Sequence, residues 1–172
     1  MYKVNGNDKV IPLTDIPQSS IGAPIPVIVS GEHDLLIAFY LQDTPDDWTG
    51  ETVKVMGKDS ANEPVCIVHF QNCYAHIFGP PNEEAFSGHP LSDKGLEPFG
   101  SYEVKNSSWL QDLEVMNSVH PYHDKTRFLE RKRHIVLTFH DTTFECIAES
   151  YKYNIATGSV GGMVASMGTK LS

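Results

Sequence analysis

The sequence predicts an α+β fold, mainly antiparallel β-sheet arranged as a sandwich or open barrel, with one or two helices packed on it. Three observations carry that expectation. Short apolar runs recur between clusters of Gly, Pro, Asn and Asp, the pattern of strands joined by turns. One segment, 108–117, has the capping residue and the apolar spacing of a helix. The composition, 40% hydrophobic and 20% charged over 172 residues, suits a chain that buries a core of its own.

Pro12, Pro17, Pro24 and Pro26 punctuate the opening. Each lacks a backbone donor, so this part is expected to be irregular or to run along a sheet edge. Ile25–Val29 and Leu35–Leu41 flank the turn 30–34 and predict a β-hairpin. The second run has no polar alternation and is expected to be covered on both faces. Asp43–Asp47 reads as an acidic turn, Thr52–Met56 as a strand and Lys58–Glu63 as a further turn. Pro64–Phe70 and Cys73–Phe78 predict a second hairpin across Gln71 and Asn72. Gly79–Pro98 holds four prolines and three glycines and reads as a long connection with at most one helical turn, near Asn82–Phe86. Phe99–Val104 predicts a strand.

The helix follows. Ser108 and Gln111 have capping-box spacing, and Trp109, Leu113 and Met116, with Leu110 beside them, form one apolar stripe. Pro121 ends it. A second helix is expected over Lys125–Lys132, with Asp124 as N-cap and cations in its last turn. His134–Phe139 and Phe144–Ala148 predict a hairpin around residues 140–143. Residues 1–157 therefore read as a single β-rich domain, and 158–172, rich in Gly, Ser and Met, as a flexible C-terminal tail.

Charge narrows the function classes. Thirteen Lys and Arg against 22 Asp and Glu leave a net charge of -9. Such a surface opposes the phosphate backbone and anionic lipid, so no nucleic acid and no membrane are expected as partners. Met1–Leu13 shows no apolar leader. The longest apolar run, Leu35–Leu41, has seven residues, against the roughly 20 needed to span a bilayer. Cys66, Cys73 and Cys146 are odd in number and form no C-x-x-C pair, which predicts buried free thiols and a cytoplasmic location.

The segments Phe78-Gly-Pro-Pro-Asn-Glu-Glu84, Gly88-His-Pro-Leu91, Ser107-Ser-Trp109 and Phe139-His-Asp-Thr-Thr-Phe-Glu-Cys146 resemble the signature blocks of a small uncharacterised bacterial protein family. The resemblance spans about residues 11–150. It implies a single domain and carries no activity, cofactor or site residues with it.

Candidate chemistry rests on the residues themselves. His140 and Asp141 with Glu145 form a possible histidine–carboxylate acid–base set on the last hairpin. The competing reading has Asp141 closing the turn and Glu145 on the solvent face with Glu149. In the stiff loop, Asn82 and His89 are candidate ligand-binding residues, and His120 and His123 join them from the turn around Pro121. The eight histidines follow no established metal-ligand spacing, so no metal and no cofactor are expected. Lys125, Arg127, Arg131, Lys132 and Arg133 place five cations within nine positions, either as an anion grip or as a solvated helix face. No Gly-x-Ser-x-Gly elbow or phosphate-binding loop occurs. The sequence therefore predicts a non-catalytic binding module that uses the Pro/Gly loop and an acidic surface toward a protein or small ligand. The alternative is a metal-dependent or histidine–carboxylate enzyme of hydrolase type.

Overall fold

A computed structural model of the chain describes residues 2–42 and 55–171. Two antiparallel sheets face each other, and three helices lie on their outer surfaces. The first sheet has strand order β1-β6-β7-β8-β5, built from β1 (Lys9–Pro12), β5 (Ala75–Gly79), β6 (Ser101–Lys105), β7 (Arg133–Thr138) and β8 (Thr143–Ala148). The second has order β2-β3-β4-β9, from β2 (Val27–Ser30), β3 (Leu35–Tyr40), β4 (Glu63–Gln71) and β9 (Ser150–Gly158). The α+β class and the sandwich follow directly.

Alternation along each strand sorts the core into layers. Leu35, Ile37 and Phe39 of β3 and Cys66, Val68 and Phe70 of β4 meet Ile135, Leu137, Phe144, Cys146 and Ala148 between the sheets. The intervening residues Leu36, Ala38, Tyr40, Val65 and Ile67 face outward and are covered by Val160 and Met167. All six residues of β3 are buried, which explains its uninterrupted apolar run. Pro12 closes β1 on the edge of its sheet, where a missing donor costs no ladder bond.

Several expectations need correction. β4 and β5 do not form a hairpin. β4 pairs with β3 and β9, whereas β5 pairs with β8. Asn72 takes a left-handed φ of 50°, and the chain there crosses from one sheet to the other. Period-2 spacing on both sides of a short turn does not distinguish a hairpin from such a crossing. β9 itself was not anticipated. The segment expected as a flexible tail holds the end of β9 and α3 (Val160–Gly168), which packs on β2 and β3. Ser159 caps α3 by accepting from the Gly162 amide.

The helix expected after residue 107 is α1 (Ser108–Asn117), but its cap is Ser107, which accepts from the Leu110 amide at 3.1 Å. Ser108 instead donates its hydroxyl to Asp8. Trp109, Leu110 and Leu113 lie against Ile147 of the first sheet, while Met116 turns away to solvent. The second helix, α2 (Lys125–Arg131), is capped by Asp124 as expected. The acidic turn Asp43–Asp47 and most of the expected strand Thr52–Met56 lie outside the described residues, and Val55 and Met56 are not in a strand. All three cysteines are free and buried. Among the described residues, no helix is long and apolar enough to cross a membrane.

Candidate functional site

Glu145 projects from β8 onto the outer face of the first sheet, beneath α1 and the long loop, and is buried. Three donors converge on its carboxylate. His134 Nε2 of β7 is 2.9 Å from Oε2, His89 Nε2 of the loop is 3.2 Å from Oε1, and the Tyr2 hydroxyl donates to Oε2 at 2.5 Å. The proton positions follow from the partners. His89 Nδ1 accepts from the Leu91 amide, so Nε2 carries its proton. Glu145 as a carboxylate only accepts, so His134 Nε2 carries a proton toward it, while Ser107 Oγ accepts from Leu110 and stands 2.8 Å from His134 Nδ1. Every member of the network thus has a hydrogen-bond partner. Burial resists ionisation of the carboxylate, but the bonds from His134 and His89, the His134 charge interaction and the Tyr2 hydroxyl outweigh it and hold Glu145 at about 2. Tyr2 stacks on Trp109 at 5.4 Å, and Trp109 meets His134 edge-on at 5.1 Å. The network thus ties the N-terminal segment, the loop, the start of α1 and two strands together.

This overturns the expected pairing of Glu145 with His140. The period of two sends Glu145 under α1, whereas His140 sits in the turn beyond β7. There His140 Nδ1 is 2.9 Å from Asp141 Oδ1 and Nε2 is 3.2 Å from Glu83 Oε1. His140 and Asp141 are thus in contact, at the surface and away from Glu145. The Asp141 hydrogen bond, opposed by slight desolvation and supported by the charges of Glu83, Asp141 and Glu84, raises the His140 pKa. The Glu83 amide also donates to the His140 carbonyl at 3.0 Å, so this cluster fastens the loop to the hairpin.

The four expected ligand-binding residues do not gather. Asn82 accepts from the Ala85 amide and shapes a turn. His89 is sealed against Glu145, with Phe86, Leu91 and Leu96 of the same loop buried around it. The first half of the Pro/Gly loop is thus a cover for the sheet. Its end, 95–100, lines a cleft of about 430 Å³ with Pro17, Gln18, Phe39 and Phe139. His120 is exposed and accepts from the Tyr122 amide. His123 lies 2.9 Å from Glu114 Oε1, with Asn117 on its other nitrogen and Lys125 on the second carboxylate oxygen. The His123 bond, ahead of the Lys125 contacts and against some desolvation, lowers the Glu114 pKa.

That clasp joins α1 to α2 and leaves an apolar surface outside it. Val115, Met116, Val119 and Tyr122 are 64%, 60%, 88% and 89% exposed. Arg127 and Arg131 lie one helical turn apart on α2, exposed and without a carboxylate partner among the described residues. They border a cleft of about 230 Å³ with His120, Tyr122 and Phe128, which Asp124 and Glu149 also line. The signal for this surface was present in the sequence: Glu114 sits inside the apolar stripe, and a buried, clasped Glu114 turns Val115 and Met116 outward.

Among the described residues, no three His, Cys, Asp or Glu side chains gather in a metal-holding arrangement. Comparison with protein families, with curated proteins and with solved structures finds no match to this chain.

Proposed function

We propose that the protein is a non-catalytic binding module whose contact surface is the α1–α2 face, and that its partner is a protein segment carrying acidic and apolar side chains. One observation carries this reading: Val115, Met116, Val119 and Tyr122, close in sequence around the end of α1, are all strongly exposed, and Tyr122 shares a cleft with Arg127 and Arg131, which have no carboxylate partner among the described residues. Isolated exposed apolar residues are ordinary, but a grouped patch rimmed by charge is typical of an interaction surface. The chain is acidic overall, so the local cations of α2 favour an acidic ligand against a repelling background. The long loop, expected as the contact element, acts mainly as a cover.

The test is fluorescence anisotropy with a labelled amphipathic peptide that sets Glu and Leu on one helical face. Binding that weakens with salt, and by about tenfold or more in R127E/R131E and in V119D, supports the reading. Unchanged affinity in both variants overturns it.

One observation favours the hydrolase alternative. Ser107, His134 and Glu145 are hydrogen-bonded in the order of a serine relay, and Ser107 borders a cleft of about 550 Å³. Against it, the Ser107 oxygen is occupied as a helix cap and the residue is 2% exposed. A fluorophosphonate probe decides: covalent labelling of Ser107 supports the relay, and an unlabelled protein removes it.

A further inference from the structure

The two sheets come together around a pair of thiols that the binding surface does not use. Where the chain crosses from β4 to β5, Cys73 turns into the inter-sheet core, in the same apolar cluster as Cys146 of β8. The two thiols lie close enough to shift each other's acidity, and Cys73 Sγ donates to the Ala75 carbonyl at 3.6 Å. Their access to solvent differs. Cys146 is fully buried, whereas Cys73 retains slight exposure and borders an open cleft of about 560 Å³ with His33, Tyr74, Arg131 and Lys132. Lys132 is held there over the rings of Tyr74 and Phe128, at 5.1 and 5.2 Å.

The same asymmetry shows in acidity. The hydrogen bond from Cys146 lowers the Cys73 pKa against the cost of burial, helped by a backbone hydrogen bond at Ala75 and the Lys132 charge and opposed by Asp34. Burial, followed by the bond to Cys73, drives the Cys146 thiol well up. Cys66 has no such partner, and burial alone pushes it up to about 12. One thiol of the three thus combines cleft access, a nearby cation and a neighbouring thiol, the setting in which cysteine reacts as thiolate.

We propose that Cys73 and Cys146 form a redox-sensitive pair, oxidised by a hydroperoxide to an internal disulfide that staples the β4–β5 crossing to β8. In the first step the Cys73 thiolate attacks the peroxide. A sulfur–oxygen bond forms, the oxygen–oxygen bond breaks and hydroxide leaves, so the sulfur is oxidised by two electrons and the peroxide reduced. In the second, the Cys146 sulfur attacks Cys73. The sulfur–sulfur bond forms, the sulfur–oxygen bond breaks, and the departing hydroxide takes the Cys146 proton as water. An added dithiol reverses the bond by exchange. Local opening at the Asn72 bend admits the oxidant, since Cys73 lies on a connecting segment between strands of different sheets.

The experiment treats the folded chain with hydrogen peroxide, blocks remaining thiols under denaturing conditions and maps peptides by mass spectrometry. The expected result is a Cys73–Cys146 disulfide with Cys66 still free, reversible by dithiothreitol. In C146S, a sulfenic-acid trap such as dimedone labels Cys73, because the resolving sulfur is gone. Wild-type mapping needs no variant to fold. A Cys73 that stays reduced under peroxide overturns the proposal, as does a disulfide joining Cys66 or two separate chains instead.

Discussion

Replacing Glu145 by Gln removes a charge on which three donors converge while keeping the side-chain size. The carboxylate is held at about 2 against an ordinary 4.5, a displacement worth about 3 kcal/mol at 1.36 kcal/mol per pH unit. The Gln amide adds a mismatch, since its NH₂ must face one of the donors His134, His89 or Tyr2. E145Q is therefore expected to lose about 3 kcal/mol in urea denaturation, or roughly 10 °C in Tm for a chain of this size. The pH dependence has a definite sign. A carboxylate whose folded pKa is depressed contributes fully above its unfolded value and loses that contribution as pH falls through the folded one. Wild type should thus lose this increment between about pH 4.5 and 2, and E145Q should lack that part of the acid sensitivity. A cost below about 1 kcal/mol, or undiminished acid sensitivity in the variant, would refute the argument that these donors hold an ionised carboxylate.

Three further outcomes follow from the same contacts. S107A removes both the α1 cap and the partner of His134 Nδ1 and should cost about 1–2 kcal/mol by denaturant melts. M167A, which opens a cavity under α3 where Met167 is fully buried, should cost about 2–4 kcal/mol; a neutral result would mean that α3 is not docked. The His140 imidazole should titrate above 6.5 by NMR because Asp141 and Glu83 favour its charged form. Its stabilising contribution is then present below the unfolded pKa and fades as pH rises through the folded one. D141N and E83Q should each move the titration back down, and an unmoved His140 in both would contradict the contacts.

The apolar pattern made most of the fold legible. The run 35–41 announced a strand covered on both faces, and the last hairpin was plain because the apolar, strand-like runs His134–Phe139 and Phe144–Ala148 flank a polar turn. The crossing at Asn72 was not, since one left-handed residue redirects β5 to another sheet without changing the period on either side. β9 escaped for a related reason. As the outermost strand beside β4, it buries little, and Tyr153 and Ile155 remain exposed. α3 was hidden by its composition, because Gly, Ser and Met resemble a linker until Val160 and Met167 find the outer face of β3.

The site was legible only in pieces. His140 and Asp141 do meet, as adjacent polar residues in a turn can. The network around Glu145 joins positions 2, 89, 107, 134 and 145, and no local spacing connects residues so far apart in the chain. What sequence could have supplied is the single anomaly of Glu114 within the α1 stripe. A charged residue on the inward face requires a partner, and His123 with Lys125 provides it. Once that clasp is placed, the outward turn of Val115 and Met116 follows.

On the proposed reading, the α1–α2 face is the contact surface and the polar network around Glu145 serves only to hold the fold. Two-dimensional NMR of the isotopically labelled protein, titrated with the acidic amphipathic peptide, tests it most directly. Shifts are expected at Val115–Val119, Tyr122, Arg127 and Arg131, with His89, His134 and Glu145 unmoved. Shifts centred instead on Ser107 and His134, or on the cleft beside Phe99, would contradict it.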